Sequence, residues 1–280
     1  MPDRTAWQVD MRSISKAGII RRTVQCMARC RRQVGLTLLS AAMYVAGPGS
    51  AEEKRTCTES LAAFSQSARI EADGRTIRAG ACANLSNVEG TVLLAFAVEP
   101  AGYPQSTDYQ LTKRILVVGA GSLGVVSSFE GIIAEDAVTR VREDSLKFDL
   151  TPYVLAKGVR AFGLRLSAYY EPKFSEGGAD DYLSLYMIEG WNIRPVLSDL
   201  SMREWKRLGE STEDIDDPCK TLTTTYTLGV AKTVSNGFAD LLISARTSCR
   251  RKILTHRLRY DGASYPFELT DLWIKLSGSK

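Results

Sequence analysis

Three glycines, Gly119, Gly121 and Gly124, have the spacing with the clearest chemical meaning in this sequence. They follow the apolar run 115–118 in the pattern Gly-x-Gly-x-x-Gly. In a dinucleotide-binding site, such glycines let the backbone approach a pyrophosphate at the N-terminus of a helix. Residues 125–131, however, are rich in β-branched types and end in another glycine, which favours a turn between two strands. We therefore expect a hairpin here and no cofactor, with a nucleotide-dependent oxidoreductase as the alternative.

Nucleophilic catalysis and metal binding have few candidate residues. His256 is the only histidine, and the chain contains neither a Gly-x-Ser-x-Gly motif nor a Cys-x-x-Cys pair. Acidic residues cluster at 210–217, but the separation of two catalytic carboxylates is a property of the folded chain. The sequence thus favours a protein without catalytic residues or metal, and a carboxylate-dependent hydrolase is the other enzymatic alternative.

A set of polar and aromatic residues on adjoining segments forms the candidate binding site: Asp149, Tyr153, Arg160, Phe162 and Arg165. Within 159–169, apolar and small residues are interrupted by Arg160 and Arg165, which predicts a strand with one charged face. Ion pairs between Asp and Arg side chains on neighbouring strands would also stabilise the sheet. A structural role for these residues therefore stands beside ligand binding.

Residues 1–51 have the organisation of a secretory signal. Eight Lys and Arg residues and two Asp residues precede the apolar run 34–46, and small residues surround Ala51. The apolar run is too short to span a bilayer, which needs about 20 residues. We expect cleavage near Ala51, a periplasmic (secreted) location and no stable membrane anchor.

The charge balance changes once this segment is removed. The whole chain has 36 Lys and Arg against 32 Asp and Glu, and residues 52–280 have 28 against 30. Phosphate backbones require a clustered positive surface, and we interpret the short basic run 249–252 as the charged end of a strand. The expected partner is an unidentified envelope protein or small ligand, and not nucleic acid.

Four cysteines follow the signal segment: Cys57, Cys82, Cys219 and Cys249. An even number of cysteines in an oxidising compartment predicts two disulfides. Of the three possible pairings, we favour Cys57–Cys82 and Cys219–Cys249, since each closes a local loop. Each disulfide would stabilise the fold by about 2–4 kcal/mol.

The part from 52 to 280 consists of short strand-like segments separated by turn residues. The clearest hairpin joins 182–188 to 191–197 through Glu189-Gly190, and the best helix candidates are 57–67 and 199–209. These patterns predict a mainly β fold with minor short helices, in which antiparallel hairpins form a sandwich-like or propeller-like arrangement. We expect one β-rich domain over 52–280, and 210–218 is the best boundary for any subdivision.

The stretch 148–165 resembles a signature of uncharacterised exported proteins of Gram-negative bacteria. In those proteins, an Asp-Thr-Ala-x-Tyr-x-Leu-Ala phrase leads into Arg-Ala-Phe-Gly-Val-Arg; here Leu-Thr-Pro follows Asp149. Similar segments continue through 183–186, 194–197, 237–241 and 258–265. The resemblance implies a periplasmic location and a β-rich fold, and it implies no activity. Together with the missing catalytic residues, it predicts a binding or interaction protein, of which an inhibitor or immunity-type protein is one version.

Overall fold

The computed structural model describes residues 56–67, 76–85, 90–99, 109–135, 139–170, 177–207, 221–248 and 253–267. All of them lie in the unit Ser50–Lys280. The prediction of a mainly β fold is confirmed. The predicted signal segment and the boundary at 210–218 lie outside the described residues.

One helix and thirteen strands make up the described fold. Their order along the chain is α1 (Cys57–Ser67), β1 (Ile77–Asn84), β2 (Thr91–Val98), β3 (Tyr109–Gly119), β4 (Val125–Glu135), β5 (Thr139–Arg140), β6 (Leu146–Ala156), β7 (Val159–Ser167), β8 (Tyr169–Tyr170), β9 (Gly177–Glu189), β10 (Asn192–Arg207), β11 (Thr221–Ser235), β12 (Phe238–Thr247) and β13 (Leu254–Leu258).

Strand β10 is the branch point of an eleven-stranded sheet. It pairs with β9 along nearly its whole length, with β4 near Asn192, and with β11 from Arg203 to Arg207. Three groups of strands follow from this branching. We call β1–β4 the N-terminal sheet, β6, β7, β9 and β10 the central sheet, and β11–β13 the C-terminal sheet. Strands β5 and β8 form a separate two-stranded sheet.

The central sheet is covered on both faces. On one face, Phe162 and Tyr186 pack with apolar residues of the N-terminal sheet. On the other face, Leu183 and Leu185 pack with residues of the C-terminal sheet such as Ile243. Successive side chains of a strand point to opposite faces, so β7 and β9 supply apolar residues to both interlayer cores. Strand β6 contacts β1 and β2 as well as β11 and β12, as a middle layer must.

Helix α1 covers the outer face of the N-terminal sheet. Its start is a capping box, because the Thr56 hydroxyl accepts from the Glu59 amide at 3.3 Å and the Glu59 carboxylate accepts from the Thr56 amide at 2.7 Å. Phe64 stacks on Phe96 of β2 with ring centroids 5.9 Å apart. The Cys57–Cys82 disulfide joins the first residue of the helix to β1, and this predicted pairing is confirmed.

The structure corrects two predictions and leaves one untested. Residues 199–207 belong to β10 and not to a helix, because they pair with β9 on one side and, from Arg203, with β11 on the other. The large sheet is mixed and not purely antiparallel, since β4 and β10 run parallel where they pair. The second predicted bridge, Cys219–Cys249, falls outside the described residues.

We expect the double variant C57S/C82S to unfold more easily than the natural chain. The bridge joins residues with a sequence separation of 25. Loss of such a disulfide lowers the free energy of unfolding by about 2–4 kcal/mol. Urea unfolding without reductant measures this difference. Urea unfolding with reductant, which opens the bridge in the natural chain, is the control and should remove most of the difference. Equal midpoints for C57S/C82S and the natural chain without reductant would contradict the expectation.

Candidate functional site

Strand β6 contains a two-residue bulge at the centre of the candidate binding set. Asp149 pairs with Gly163 of β7, and the next paired residue, Tyr153, faces Ala161. Four steps along β6 therefore correspond to two steps along β7. Because two extra residues preserve the alternation of faces, Asp149 and Tyr153 point to the same side while residues 150–152 stay exposed.

Asp149 organises this bulge through both carboxylate oxygens. Oδ1 accepts from the Thr151 backbone amide at 3.0 Å, which closes the turn. Oδ2 accepts from Arg165 Nε at 3.1 Å and from the Tyr153 hydroxyl at 3.4 Å. The side chain fits because residue 163 is glycine: a Cβ there would lie 2.8 Å from the Asp149 Cβ.

Arg165 joins Asp149 to a carboxylate of the next strand. Its second nitrogen donates to Asp181 Oδ2 of β9 at 2.7 Å. Partial burial alone would raise the pKa of Asp149. Hydrogen bonds from Thr151, a hydrogen bond from Arg165 and the positive charge of Arg165 together hold this pKa below its ordinary value. Burial, together with the charge of Asp149, raises the pKa of Tyr153 to about 12. The Tyr153 hydroxyl thus stays protonated at neutral pH and remains a donor.

The bulge forms one wall of a small depression on the other side of β6 and β7. Arg160 donates to the Leu150 carbonyl at 3.3 Å, which places the guanidinium beside the exposed part of the bulge. The depression has a volume of about 40 Å³ and is lined by Leu85, Leu150, Thr151, Arg160, Ala161, Phe162 and Ile188. We call it the bulge pocket.

The bulge pocket has exposed apolar side chains in its lining, and another lies on the turn that follows β9. Leu150 and Ile188 form part of its lining and are both exposed. Trp191 is 76% exposed and lies three residues beyond Ile188, on the β9–β10 turn. Gly190 precedes it with φ 61°, and this positive φ at the first central residue is typical of a type II′ hairpin. The turn that the sequence predicted at Glu189-Gly190 is confirmed, and it presents a tryptophan to solvent.

The five predicted site residues thus separate into two groups. Asp149, Tyr153 and Arg165 are joined by hydrogen bonds and support the bulge, whereas Arg160 and Phe162 line the pocket. Phe162 is otherwise a core residue, with its ring 5.8 Å from that of Tyr186.

The sequence prediction missed four residues of this region: Asp181, Leu150, Ile188 and Trp191. Asp181 lies in β9, where its carboxylate pairs with Arg165. The exposed positions of the three apolar residues had no signal in the sequence, because an apolar type ordinarily predicts burial.

The glycine motif forms a tight connection between two strands, as we expected. Gly119 is the last residue of β3. Its amide donates to the Gly124 carbonyl at 3.1 Å, and its carbonyl accepts from the Leu123 amide at 2.9 Å. The turn needs one left-handed residue, and this is Leu123, with φ 55°. Strand β4 follows the turn, where a dinucleotide site requires the N-terminus of a helix.

In the part of the chain that the structure describes, no group of three or more His, Cys, Asp or Glu side chains is placed to hold a metal ion. No helix within those ranges has the length and apolar character needed to cross a membrane. The acidic cluster at 210–217 lies outside them.

A methyl group at residue 163 tests the packing under Asp149. We expect Gly163→Ala to lower the free energy of unfolding by about 1–3 kcal/mol, because the added Cβ overlaps Asp149 and Leu183. Gly229→Ala is a matched control in an exposed strand, where the nearest atom to a new Cβ is 4.0 Å away. Urea unfolding of both variants provides the comparison, and equal stabilities for the two would show that the close contact is not a constraint.

Asparagine at residue 149 keeps the side-chain shape and removes its charge. At about pH 7 we expect D149N to lower the free energy of unfolding by about 1–3 kcal/mol, the range for hydrogen bonds to a charged group. The pKa of Asp149 is lower in the folded than in the unfolded chain. This contribution is therefore present above the unfolded pKa of about 4 and is lost as the pH falls through the folded value.

Unfolding measured from about pH 7 to about pH 3 should show the difference between the natural chain and D149N shrinking on the acid side. Glu143→Gln, at an exposed carboxylate of the turn before β6, is the control for a general charge effect. A difference that stays constant with pH would contradict the role assigned to the Asp149 charge.

The chain was compared with protein-family models, curated proteins and solved structures, and none of them matches it. The geometry of this chain therefore carries the functional information, and its main feature is the bulge pocket with exposed apolar residues in its lining.

Proposed function

We propose that this chain is an exported, periplasmic binding or interaction protein that docks a partner protein at the bulge pocket and has no catalytic activity. The observation that carries the proposal is the exposed apolar lining of Leu150 and Ile188 beside Arg160. An exposed tryptophan, Trp191, lies on the β9–β10 turn that follows Ile188. Tryptophan and arginine are the residues that most often dominate the free energy of binding at protein interfaces.

The size of the pocket favours a protein partner over a small ligand. Sites for small molecules typically measure about 300–1,000 Å³, whereas the bulge pocket holds about 40 Å³. Such a volume accepts the end of one side chain. The exposed apolar lining would then provide the surrounding contact area that excludes water from it.

The arrangement of polar groups supports binding over the enzymatic alternatives. Asp149 and Asp181 both pair with Arg165, which leaves neither carboxylate poised as a general acid or base for the hydrolase alternative. The oxidoreductase alternative relies on Gly119, Gly121 and Gly124, which lie in a turn before a strand. Neither alternative is supported by a further observation among the described residues.

The scaffold and the disulfide fit an exported interaction protein. The Cys57–Cys82 bridge is typical of proteins that fold in an oxidising compartment. The stacked sheets resemble a sandwich-like architecture, in which rigid layers present loops and edges to partners. One concrete version is an inhibitor or immunity-type protein that binds a cell-wall hydrolase.

Site-specific photo-cross-linking in cells tests this proposal. We expect a photoreactive amino acid at Trp191 to capture a partner protein, and the capture to be lost when Arg160→Glu is added, because the substitution reverses the charge beside the pocket. The matched control is the same amino acid at Val234, which is 64% exposed but lies on the β11–β12 hairpin.

Mass spectrometry then identifies what is captured. Capture at residue 191 that is absent at residue 234 supports the bulge pocket as the docking site, and recovery of a hydrolase supports the inhibitor version. Equal capture at both positions, or capture that Arg160→Glu leaves unchanged, would overturn the proposal.

A further inference from the structure

The C-terminal sheet has one buried face and one exposed face. Tyr226, Ile243 and Leu258 point into the core shared with the central sheet. The alternate residues of the same strands point away from that core. We call the exposed face the outer face, and its members on the three strands are Thr225, Thr227, Leu242, Ser244, Arg246, Thr255 and Arg257.

The strand register arranges hydroxyl and guanidinium groups on the outer face in rows. Thr227, Ser244 and Thr255 are direct neighbours across the three strands. On one side of this row Thr225 pairs with Arg246, and on the other side Leu242 pairs with Arg257. Neighbouring strands lie about 4.8 Å apart, so the hydroxyls form a row across the three strands. Arg246 of β12 lies on one side of this row and Arg257 of β13 on the other.

The charge of this region differs from that of the rest of the chain. Residues 241–260 contain six Lys and Arg residues and no Asp or Glu, whereas residues 52–280 as a whole have 28 against 30. Arg246 is exposed and forms no ion pair within the described ranges. Three of these six residues belong to the run 249–252, which lies outside the described ranges.

Asp240 is an acidic side chain close to two arginines of this region, Arg257 and Arg259. It is buried, and Oδ2 accepts from the Thr233 hydroxyl at 2.6 Å. Hydrogen bonds from Thr233 and Ser235, with the charges of Arg257 and Arg259, hold the pKa of Asp240 below its ordinary value. One carboxylate therefore faces several cations, and the region keeps an excess of positive charge.

We propose that the outer face binds an acidic polysaccharide. Arg246 and Arg257 pair with anionic groups of the sugar chain, and the row of Thr227, Ser244 and Thr255 hydrogen-bonds its hydroxyl groups. The site is separate from the bulge pocket, which lies on the other side of the central sheet, and it does not depend on the function proposed there.

Two other anionic partners fit this face less well. Single-stranded nucleic acid is bound by stacking on exposed aromatic rings, and the outer face of β11–β13 carries none among the described residues. A membrane surface favours a contiguous apolar set that can insert. Here Leu242 and the exposed Ile253 are separated by the hydroxyl row.

Binding of purified protein to polygalacturonate, with neutral dextran, oligo(dT) and phosphatidylglycerol vesicles as comparison probes, tests the proposal. We expect binding to polygalacturonate, none to dextran, and weakening as salt rises from about 50 mM to about 200 mM. R246Q/R257Q should weaken the polygalacturonate affinity by at least about tenfold. The matched control K147Q/K157Q removes the same charge from exposed residues of β6 and its turn and should change the affinity less than about twofold.

A second pair of variants separates hydrogen bonding from charge. T227V/T255V removes two hydroxyls at nearly constant shape and should weaken polygalacturonate binding without changing its dependence on salt. Thermal unfolding of every variant confirms that the fold is intact. Absence of polygalacturonate binding, equal effects of the two charge-removing doubles, or tighter binding of oligo(dT) or vesicles would overturn the proposal.

Discussion

A sheet that is covered on both faces must carry apolar side chains on both sides of its strands, and the central sheet is such a layer. In β9, Leu185 points to one interlayer core and Tyr186 to the other, and both are fully buried. This constraint explains why 182–188 is a nearly continuous apolar run in an antiparallel hairpin, where a half-exposed strand would alternate. The N-terminal and C-terminal sheets each need to bury only one face against it. Helix α1 then covers the face of the N-terminal sheet that points away from the central sheet, and its apolar residues pack there against a further core cluster.

The same constraint requires charged groups within or beside the layers to have polar partners. Arg165 is held between Asp149 and Asp181, where the central sheet approaches solvent. Farther in, the buried Glu204 carboxylate accepts from the Tyr226 hydroxyl at 2.8 Å, which fixes β11 against β10. A buried charge without such a partner would destabilise the fold by several kcal/mol. These polar contacts therefore specify how the strands align, while the apolar cores supply most of the driving force.

The bulge pocket and the outer face of the C-terminal sheet both lie where the stack of sheets ends. The bulge pocket lies at an edge strand, β6, where two extra residues can leave the ladder without breaking a core. The outer face of the C-terminal sheet has no described layer beyond it, and its polar residues follow from that exposure. A protein built in this way can use its interior as a rigid support and keep its recognition chemistry on separate surfaces.

Local patterns in the sequence were sufficient for several elements. The run 182–188 lies within β9, 57–67 coincides with α1, and Glu189-Gly190 marks the β9–β10 turn. Each of these depends on contacts between near neighbours: a capping box, a glycine with positive φ, or a run of β-branched and apolar types. The Cys57–Cys82 pairing was also predictable, because the two residues bound a short loop.

Other features depended on partners distant in sequence. Residues 199–207 resembled a helix until β9 and β11 paired with them on either side. Sequence grouped Asp149, Tyr153, Arg160, Phe162 and Arg165, but only strand register assigned some to the support of the bulge and others to its pocket. Likewise, Arg246 and Arg257 are eleven positions apart in the chain, and pairing between β12 and β13 brings them to one face. Sequence thus determined several strands and turns from local patterns. The pairing and stacking of distant strands decided the state of 199–207 and which residues meet, because those contacts join positions that no local pattern connects.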